Sequence, residues 1–275
     1  FASLKRFREL PDYVQVWPGH GAGSACGKAL GAMPQSTVGY EKVSNWGVMA
    51  ADEEAFVREV LAGQPDPPVY FAEMKRINRD GPPILGGMPE PARSRPTMLT
   101  PQLLEDGTVV DIRSPDAFAE RHVPGTLNIP LGKSFSTWAG WLLPYDRDVF
   151  LMADDAGAAA RAAREMALIG LDRAAGWFGH DAMDSWMSSG RSLEGVEQTD
   201  AAALAARLEQ GELTVVDVRN DSEWAHGHIP GALHIPLGQL AARSAAIPRS
   251  RPVVVQCQGG TRSAIAASVL LRCGM

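Results

Sequence analysis

Short runs of apolar, mostly β-branched residues recur from residue 109 onwards, each followed by a polar or alanine-rich stretch. Residues 109–112, 215–218 and 253–255 are examples. Buried strands that alternate with helical stretches are typical of a parallel α/β sheet. The pattern therefore predicts an α/β fold, with a parallel central sheet flanked by helices.

The pattern is present twice. Residues 109–113 (Val-Val-Asp-Ile-Arg) recur as residues 215–219 (Val-Val-Asp-Val-Arg), and residues 122–131 recur as residues 228–237 at the same offset. Self-similarity of this kind indicates repeated structural units. We expect two tandem copies of one domain, at residues 96–191 and 192–275, preceded by a different region at residues 1–95.

A cysteine and a glycine-rich turn follow the last apolar run. Cys257 is followed by a short polar loop and then by an alanine-rich helix, and the loop consists of Gln258, Gly259, Gly260, Thr261, Arg262 and Ser263. Backbone N–H groups of such a loop, together with the positive end of the helix, form a cup that stabilises an anion. This setting lowers the pKa of a thiol, so the sequence predicts a nucleophilic thiolate at Cys257.

The two copies serve as controls for each other. An ungapped alignment of their last helices places Ala153 opposite Cys257 and Ala158 opposite Arg262, with Asp154 and Asp155 in the loop. The first copy thus has no nucleophile and carries negative charge in its cup, and we expect it to be catalytically inert. Features that both copies keep are attributed to folding, namely the pairs Asp111/Asp217, Arg113/Arg219 and His122/His228.

Two further residues have structural interpretations. Glu223, which aligns with Ala117, lies four residues after Arg219 and is predicted to form an ordinary ion pair with it. Cys273 aligns with the apolar Ile169 late in the helix and is predicted to lie in the core.

Composition and charge limit the class of protein. The chain has 275 residues, a net charge of −6 and three cysteines at wide spacings. It shows no basic stripe and no apolar run of about 18 residues, so we expect neither a nucleic-acid partner nor a membrane span. An odd number of cysteines without a signal peptide favours a reducing, cytoplasmic location.

The motifs resemble those of the rhodanese (sulfurtransferase) family over roughly residues 98–275. The resemblance rests on Asp-Val-Arg at 217–219, Gly-His-Ile-Pro-Gly-Ala at 227–232 and the cysteine loop. It implies that Cys257 carries sulfur as a persulfide without a cofactor and that Arg262 stabilises the leaving group. Gln258, Gly259, Gly260, Thr261 and Ser263 would bind the substrate. Small sulfur donors, such as thiosulfate or a persulfide, and thiol, sulfite or cyanide acceptors would be its partners.

The length of the loop between Cys257 and Arg262 distinguishes the rhodanese family from a chemically related family. Dual-specificity phosphatases of the Cdc25 type are similar to rhodaneses, but their loop between cysteine and arginine is one residue longer and accommodates a tetrahedral phosphate. The four residues between Cys257 and Arg262 make a tighter cup. The spacing therefore favours sulfur over phosphate.

The first region resembles the C-terminal part of a metallo-β-lactamase αββα fold. The segment Pro-Gly-His at 18–20, followed by a glycine-rich loop, carries this resemblance. It implies a metal-ligand role for His20, with Fe(II) or Zn in the intact domain, and Cys26 is a candidate for relaying sulfur. The superfamily's His-x-His-x-Asp-His motif is absent from this sequence.

The order of these regions resembles a persulfide dioxygenase fused to a sulfurtransferase. We expect a fragment of such a protein, truncated in its last domain, because the first copy continues to Trp186 whereas the second stops one residue after Gly274. Two alternatives stay open: a metal-dependent hydrolase of the glyoxalase II type with accessory rhodanese domains, and a non-catalytic rhodanese scaffold. A homodimer or homotetramer is the expected assembly.

Overall fold

The structure is a computed structural model that describes residues 1–19, 34–62 and 68–275. The chain divides into two compact units, Phe1–Pro65 and Asp66–Met275. His20 and Cys26, the two site residues predicted in the first region, lie outside the described residues.

The first unit contains short helices and one small antiparallel sheet. Side chains of Thr37, Asn45 and Asp52 accept hydrogen bonds from backbone N–H groups at the starts of three helices. Such caps satisfy N–H groups that lack a partner within the helix. The elements are α1 (Ala2–Arg8), β1 (Gln15–Val16), β2 (Ser36–Thr37), α2 (Val38–Ser44), α3 (Trp46–Met49) and α4 (Glu53–Leu61).

The second unit alternates strands and helices. Its strands are β3 (Thr108–Asp111), β4 (Leu127–Asn128), β5 (Val149–Met152), β6 (Ala174–Phe178), β7 (Thr214–Asp217), β8 (Leu233–His234) and β9 (Val253–Gln256). Its α-helices are α5 (Tyr70–Asp80), α6 (Pro101–Asp106), α7 (Pro115–Glu120), α8 (Phe135–Leu142), α9 (Ala156–Ala167), α10 (Asp181–Ser188), α11 (Ala201–Glu209), α12 (Asp221–Ala225), α13 (Leu240–Arg243) and α14 (Thr261–Arg272). Short 3-10 helices occupy Pro96–Met98, Leu237–Gln239 and Ser244–Ala246.

Two parallel sheets confirm the predicted α/β fold and the repeat. The first has the strand order β4-β3-β5-β6, and the second has the order β8-β7-β9. Their registers are equivalent, since Asp111 pairs with Asn128 and Met152 just as Asp217 pairs with His234 and Gln256. The loops that follow β7, β8 and β9 therefore meet at one edge of the second sheet.

One ion pair closes the same turn in both repeats. Arg113 lies 2.6 Å from Asp111, and the two side chains are almost fully buried. Arg219 lies at the same distance from Asp217. In each repeat the arginine also donates to the backbone carbonyl eight residues later. This geometry fits the structural role that the sequence comparison assigned to the pair.

The two repeats share one apolar core. A single cluster of buried side chains includes Val110 and Leu151 of the first repeat and Val216 and Ile265 of the second. Helix α14 of the second repeat contacts edge strand β4 of the first. There the backbone N–H of Asn128 donates to Ser268 Oγ at 3.0 Å, and neither residue is exposed. The hydroxyl thus satisfies a strand-edge N–H that is buried.

A close backbone approach joins the repeats at a second point. A Cβ added to Gly238 would lie 2.5 Å from the ring of Trp141, so only glycine leaves room for that indole. The second repeat therefore contacts the first repeat at two points.

Candidate active site

Cys257 lies directly after β9, and its sulfur faces the start of α14. Gly260, the N-cap residue of α14, has φ of 87°, a backbone conformation that a side chain would strain. This turn directs two backbone N–H groups at the sulfur. Gly260 N–H donates to Cys257 Sγ at 3.2 Å, and Ser263 N–H donates at 3.3 Å.

These contacts set the acidity of the thiol. Burial of Cys257 by itself raises its pKa. The hydrogen bond with the Ser263 side chain and those donated by the N–H groups of Ser263, Gly259 and Gly260 act in the opposite direction. The hydrogen bonds prevail, so the pKa of Cys257 lies below its ordinary value. A lowered pKa increases the thiolate fraction, which is the nucleophilic form.

The hydroxyl of Ser263 also forms a hydrogen bond within the loop. Its Oγ lies 3.6 Å from Cys257 Sγ and donates to the carbonyl oxygen of Gly260 at 2.8 Å. The hydroxyl therefore closes the first turn of α14 over the glycine that bends the chain. Gln258, Gly259 and Thr261 are exposed around the sulfur.

Arg262 forms a bidentate ion pair with Glu223. Its Nη1 donates to Oε2 at 2.6 Å, and its Nη2 donates to Oε1 at 2.7 Å. Arg262 also interacts with the Cys257 sulfur, which contributes to its raised pKa after the larger contribution of Glu223. The same pairing lowers the pKa of Glu223 to about 2. The guanidinium thus lies between a carboxylate and the thiol.

The predicted ion pair between Glu223 and Arg219 is wrong. Arg219 is already held by Asp217 and by the carbonyl of Gly227. Glu223 forms part of a capping box on α12 and extends across to α14. The sequence did contain a signal for the true pair, because Ala117 and Ala158 align with Glu223 and Arg262, so both charges are absent from the first repeat.

The corresponding loop of the first repeat is filled by its own carboxylate. Ala153 is fully buried where the second repeat has its cysteine. Asp155 is the N-cap of α9 and accepts from Ala158 N–H at 2.8 Å. Asp154 pairs with His180 at 2.8 Å. The helix start that would stabilise a bound anion already holds one from the chain itself.

Cys273 lies at the other end of α14. It is the C-cap residue and is half-buried rather than in the core as predicted. The twelve residues of α14 span about 18 Å at 1.5 Å per residue, so Cys273 does not reach the cup.

The described residues do not form a metal site. Across residues 1–19, 34–62 and 68–275, no group of three or more His, Cys, Asp or Glu side chains is placed to hold a metal ion. The Fe(II) or Zn implied for the intact lactamase-type domain therefore finds no set of ligands among the described residues, which do not include His20. A helix with the length and apolar character of a membrane span is likewise not found in these ranges.

Comparison with known proteins agrees with this geometry. The rhodanese-like domain model matches residues 100–182 and 200–275. A protein named sulfurtransferase from Allochromatium vinosum is 38% identical over 80 residues, which cover 29% of this chain and 75% of that protein. The HTH-type transcriptional regulator Rv0324 of Mycobacterium tuberculosis is 48% identical over 58 residues, covering 21% of this chain and 26% of the regulator.

One solved structure is similar over a larger share of the chain. A metallo-β-lactamase from Staphylococcus aureus is 39% identical with a TM-score of 0.50, covering 65% of this chain and 48% of that structure. The chain thus spans about half of that structure and about a quarter of the transcriptional regulator. The rhodanese-like model matches more than half of the chain, in two copies. The chain belongs to the rhodanese-like family.

Proposed function

We propose that the second repeat is a sulfurtransferase that carries sulfane sulfur as a persulfide on Cys257. The observation that carries this proposal is the pair of backbone N–H groups aimed at Cys257 Sγ from the start of α14. These donors stabilise negative charge on sulfur both before and after transfer. The similarity to the Allochromatium vinosum sulfurtransferase supports the same activity.

The reaction is a double displacement. The Cys257 thiolate attacks the outer sulfur of a donor, the new bond forms between Sγ and that sulfur, and the S–S bond of the donor breaks. The electron pair of that bond leaves with sulfite when the donor is thiosulfate, or with a thiolate when the donor is a persulfide. An acceptor thiol, sulfite or cyanide then removes the sulfur and restores the thiolate.

The cup is suited to one added sulfur atom. The donors of Gly260 and Ser263 contact Sγ at 3.2 and 3.3 Å, and the loop between Cys257 and Arg262 has only four residues. The exposed Gln258, Gly259 and Thr261 surround the entrance through which donor and acceptor approach. Sulfane sulfur on Cys257 would remain beside the same N–H groups.

We also propose that the chain is part of a metallo-β-lactamase-fold protein with two rhodanese-like repeats, of the persulfide dioxygenase type. The similarity to the Staphylococcus aureus structure supports this, since that structure is named a metallo-β-lactamase and matches 65% of the chain. In this arrangement residues 1–95 contribute to the lactamase-type region, residues 96–191 form the inert repeat and residues 192–275 form the active one.

Intact-mass analysis after exposure to a donor tests the sulfurtransferase. We expect the wild-type protein and a Cys273→Ser variant to gain the mass of one sulfur atom, reversed by cyanide. Cys257→Ser should gain none, because serine is not a nucleophile under these conditions. Equal sulfur uptake by the wild-type protein and Cys257→Ser would refute the proposal.

A further inference from the structure

Carboxylates balance both arginines next to the cup. Arg262 is paired with Glu223 through two hydrogen bonds, and Arg219 is paired with Asp217 through three. The two ion pairs are close enough for Arg219 to help lower the pKa of Glu223. Residues 192–275 contain no lysine. The side chains around the sulfur therefore contribute no net positive charge.

The pairing of Arg262 is also difficult to exchange for a bound anion. The side chains of Arg262 and Glu223 are only 18% and 26% exposed. Bidentate bonds between a guanidinium and a carboxylate are strong and fix the orientation of both groups. Moving Arg262 onto a second anion would leave the Glu223 carboxylate unpaired in a partly buried position, which is costly.

The charge at the cup therefore differs from what the loop sequence suggests. With Arg219 and Arg262 both paired, the positive charge that faces the Cys257 thiolate from the described loop comes from the start of α14 and is equivalent to about half a unit. A donor that brings two negative charges is repelled by the thiolate and by Glu223, whereas an uncharged donor is not. Thiosulfate is a dianion, whereas the protonated hydropersulfide of an uncharged thiol, the form whose outer sulfur is attacked, is neutral.

We propose that Glu223 is a specificity-determining residue that neutralises Arg262 and so favours hydropersulfides over thiosulfate as the sulfur donor. This inference rests on the proposed function. In the favoured step the Cys257 thiolate bonds to the outer sulfur of R–S–SH, the S–S bond breaks, and the departing R–S⁻ takes the proton of the outer sulfur. The products are the Cys257 persulfide anion and R–SH.

Glu223→Gln tests the charge while keeping the size of the side chain. Glu212→Gln is the matched control, because Glu212 precedes β7 at the opposite edge of the sheet and is half-exposed. For each protein, the rate at which Cys257 gains one sulfur is measured by rapid quenching and intact mass, with thiosulfate and with the persulfide of 2-mercaptoethanol. The pH dependence of Cys257 alkylation is measured alongside, with Cys257→Ser as the blank.

We expect Glu223→Gln to raise the ratio of the thiosulfate rate to the persulfide rate by about three- to tenfold, the scale of one unit charge acting across a partly solvated site. The alkylation pKa of Cys257 should fall, because the thiolate loses a neighbouring negative charge. Glu212→Gln should change neither quantity. Equal loss of both rates in Glu223→Gln, or an unchanged ratio, would show that Glu223 is only structural and would overturn the donor selection.

The two proposals fail in different ways. If the wild-type protein takes up sulfur from neither donor, the proposed function is overturned and the donor selection with it. If the wild-type protein takes up sulfur from both donors and Glu223→Gln leaves their ratio unchanged, only the donor selection is overturned.

Discussion

The two repeats use the same helix start for different anions. In the first repeat the Asp155 carboxylate accepts from the N–H of the third residue of α9. In the second repeat the N–H of the third residue of α14, Ser263, donates to Cys257 Sγ, and the N-cap is a glycine without a side chain. An anion site at this position is thus a property of the fold. It becomes available for chemistry only where the chain leaves it without a carboxylate of its own.

The charged side chains differ between the repeats as a pair. Glu223 and Arg262 bind each other in the second repeat, and alanines occupy both positions in the first. A single charge left at a partly buried position would lack compensation. The first repeat therefore lacks both the nucleophile and the two charged residues of the ion pair.

Introducing the carboxylate of the first repeat into the second should have the largest effect. In the ungapped sequence alignment Asp155 corresponds to Gly259, the residue before the N-cap Gly260, and a Cβ at Gly259 would meet no atom within 4 Å. We expect Gly259→Asp to slow sulfur loading of Cys257 by about a hundredfold, because the new carboxylate competes with the thiolate for the N–H donors. Gly259→Asn, equal in size but uncharged, is the control. Equal loss in both variants would contradict the role of charge.

The next largest effect is a loss of stability at the histidines that occupy equivalent positions in the two repeats, His122 and His228. His122 is buried, and its ring centroid lies 3.8 Å from that of Phe118 in a stacked arrangement. His228 is exposed, and its ring stacks on Trp224 with a centroid distance of 3.6 Å. We expect His122→Ala to lower the free energy of unfolding by about 2–4 kcal/mol, since it leaves a cavity. His228→Ala should cost less than about 1 kcal/mol. Urea titration of both variants measures the difference, and equal costs would contradict it.

The burial of His122 also predicts a pH dependence. Burial lowers the pKa of His122 below its ordinary value of 6.5, so the folded protein binds this proton less readily than the unfolded chain. Stability should therefore fall as the pH drops below 6.5 and should be insensitive to this group above it. Thermal unfolding midpoints from about pH 5 to about pH 8 should show a slope that decreases in His122→Ala. An unchanged slope would exclude His122 as the cause.

A smaller loss is expected at the contact between the repeats. Ser268→Ala leaves the buried N–H of Asn128 without an acceptor, which should cost about 1–3 kcal/mol. The exposed Ser222, also on a helix of the second repeat, is the control, and Ser222→Ala should change stability by no more than about 0.5 kcal/mol. Urea denaturation compares the two. A Ser268→Ala protein as stable as its control would show that the contact is dispensable.

The smallest effect is expected at the cap of the first repeat. Asp155→Ala removes the acceptor of Ala158 N–H and should lower stability by about 1 kcal/mol. Sulfur loading of Cys257 should stay at the wild-type rate, because Asp155 belongs to the repeat without a cysteine. Parallel unfolding and loading measurements check both statements. A change in loading would show that the first loop takes part in the chemistry.

Much of the fold followed from local patterns. The apolar runs at 109–112 and 215–218 predicted strands that the structure places in two equivalent parallel sheets. The alignment of Ala153 with Cys257 identified the repeat that lacks a nucleophile. The same alignment did not predict the burial of Cys273. Its position opposite Ile169 did not specify how deeply the end of α14 is buried.

The sequence by itself determined the repeat, the cysteine loop and its difference from the first copy, because each depends on residues close together in the chain. Only the tertiary structure decided that Arg262 binds Glu223, 39 residues away, and that Ser268 caps Asn128, 140 residues away. Such contacts depend on how helices pack on the sheets, and spacing along the chain does not specify that packing. The charge at the cup is therefore set by the ion pair between Glu223 on α12 and Arg262 on α14 as much as by the loop itself.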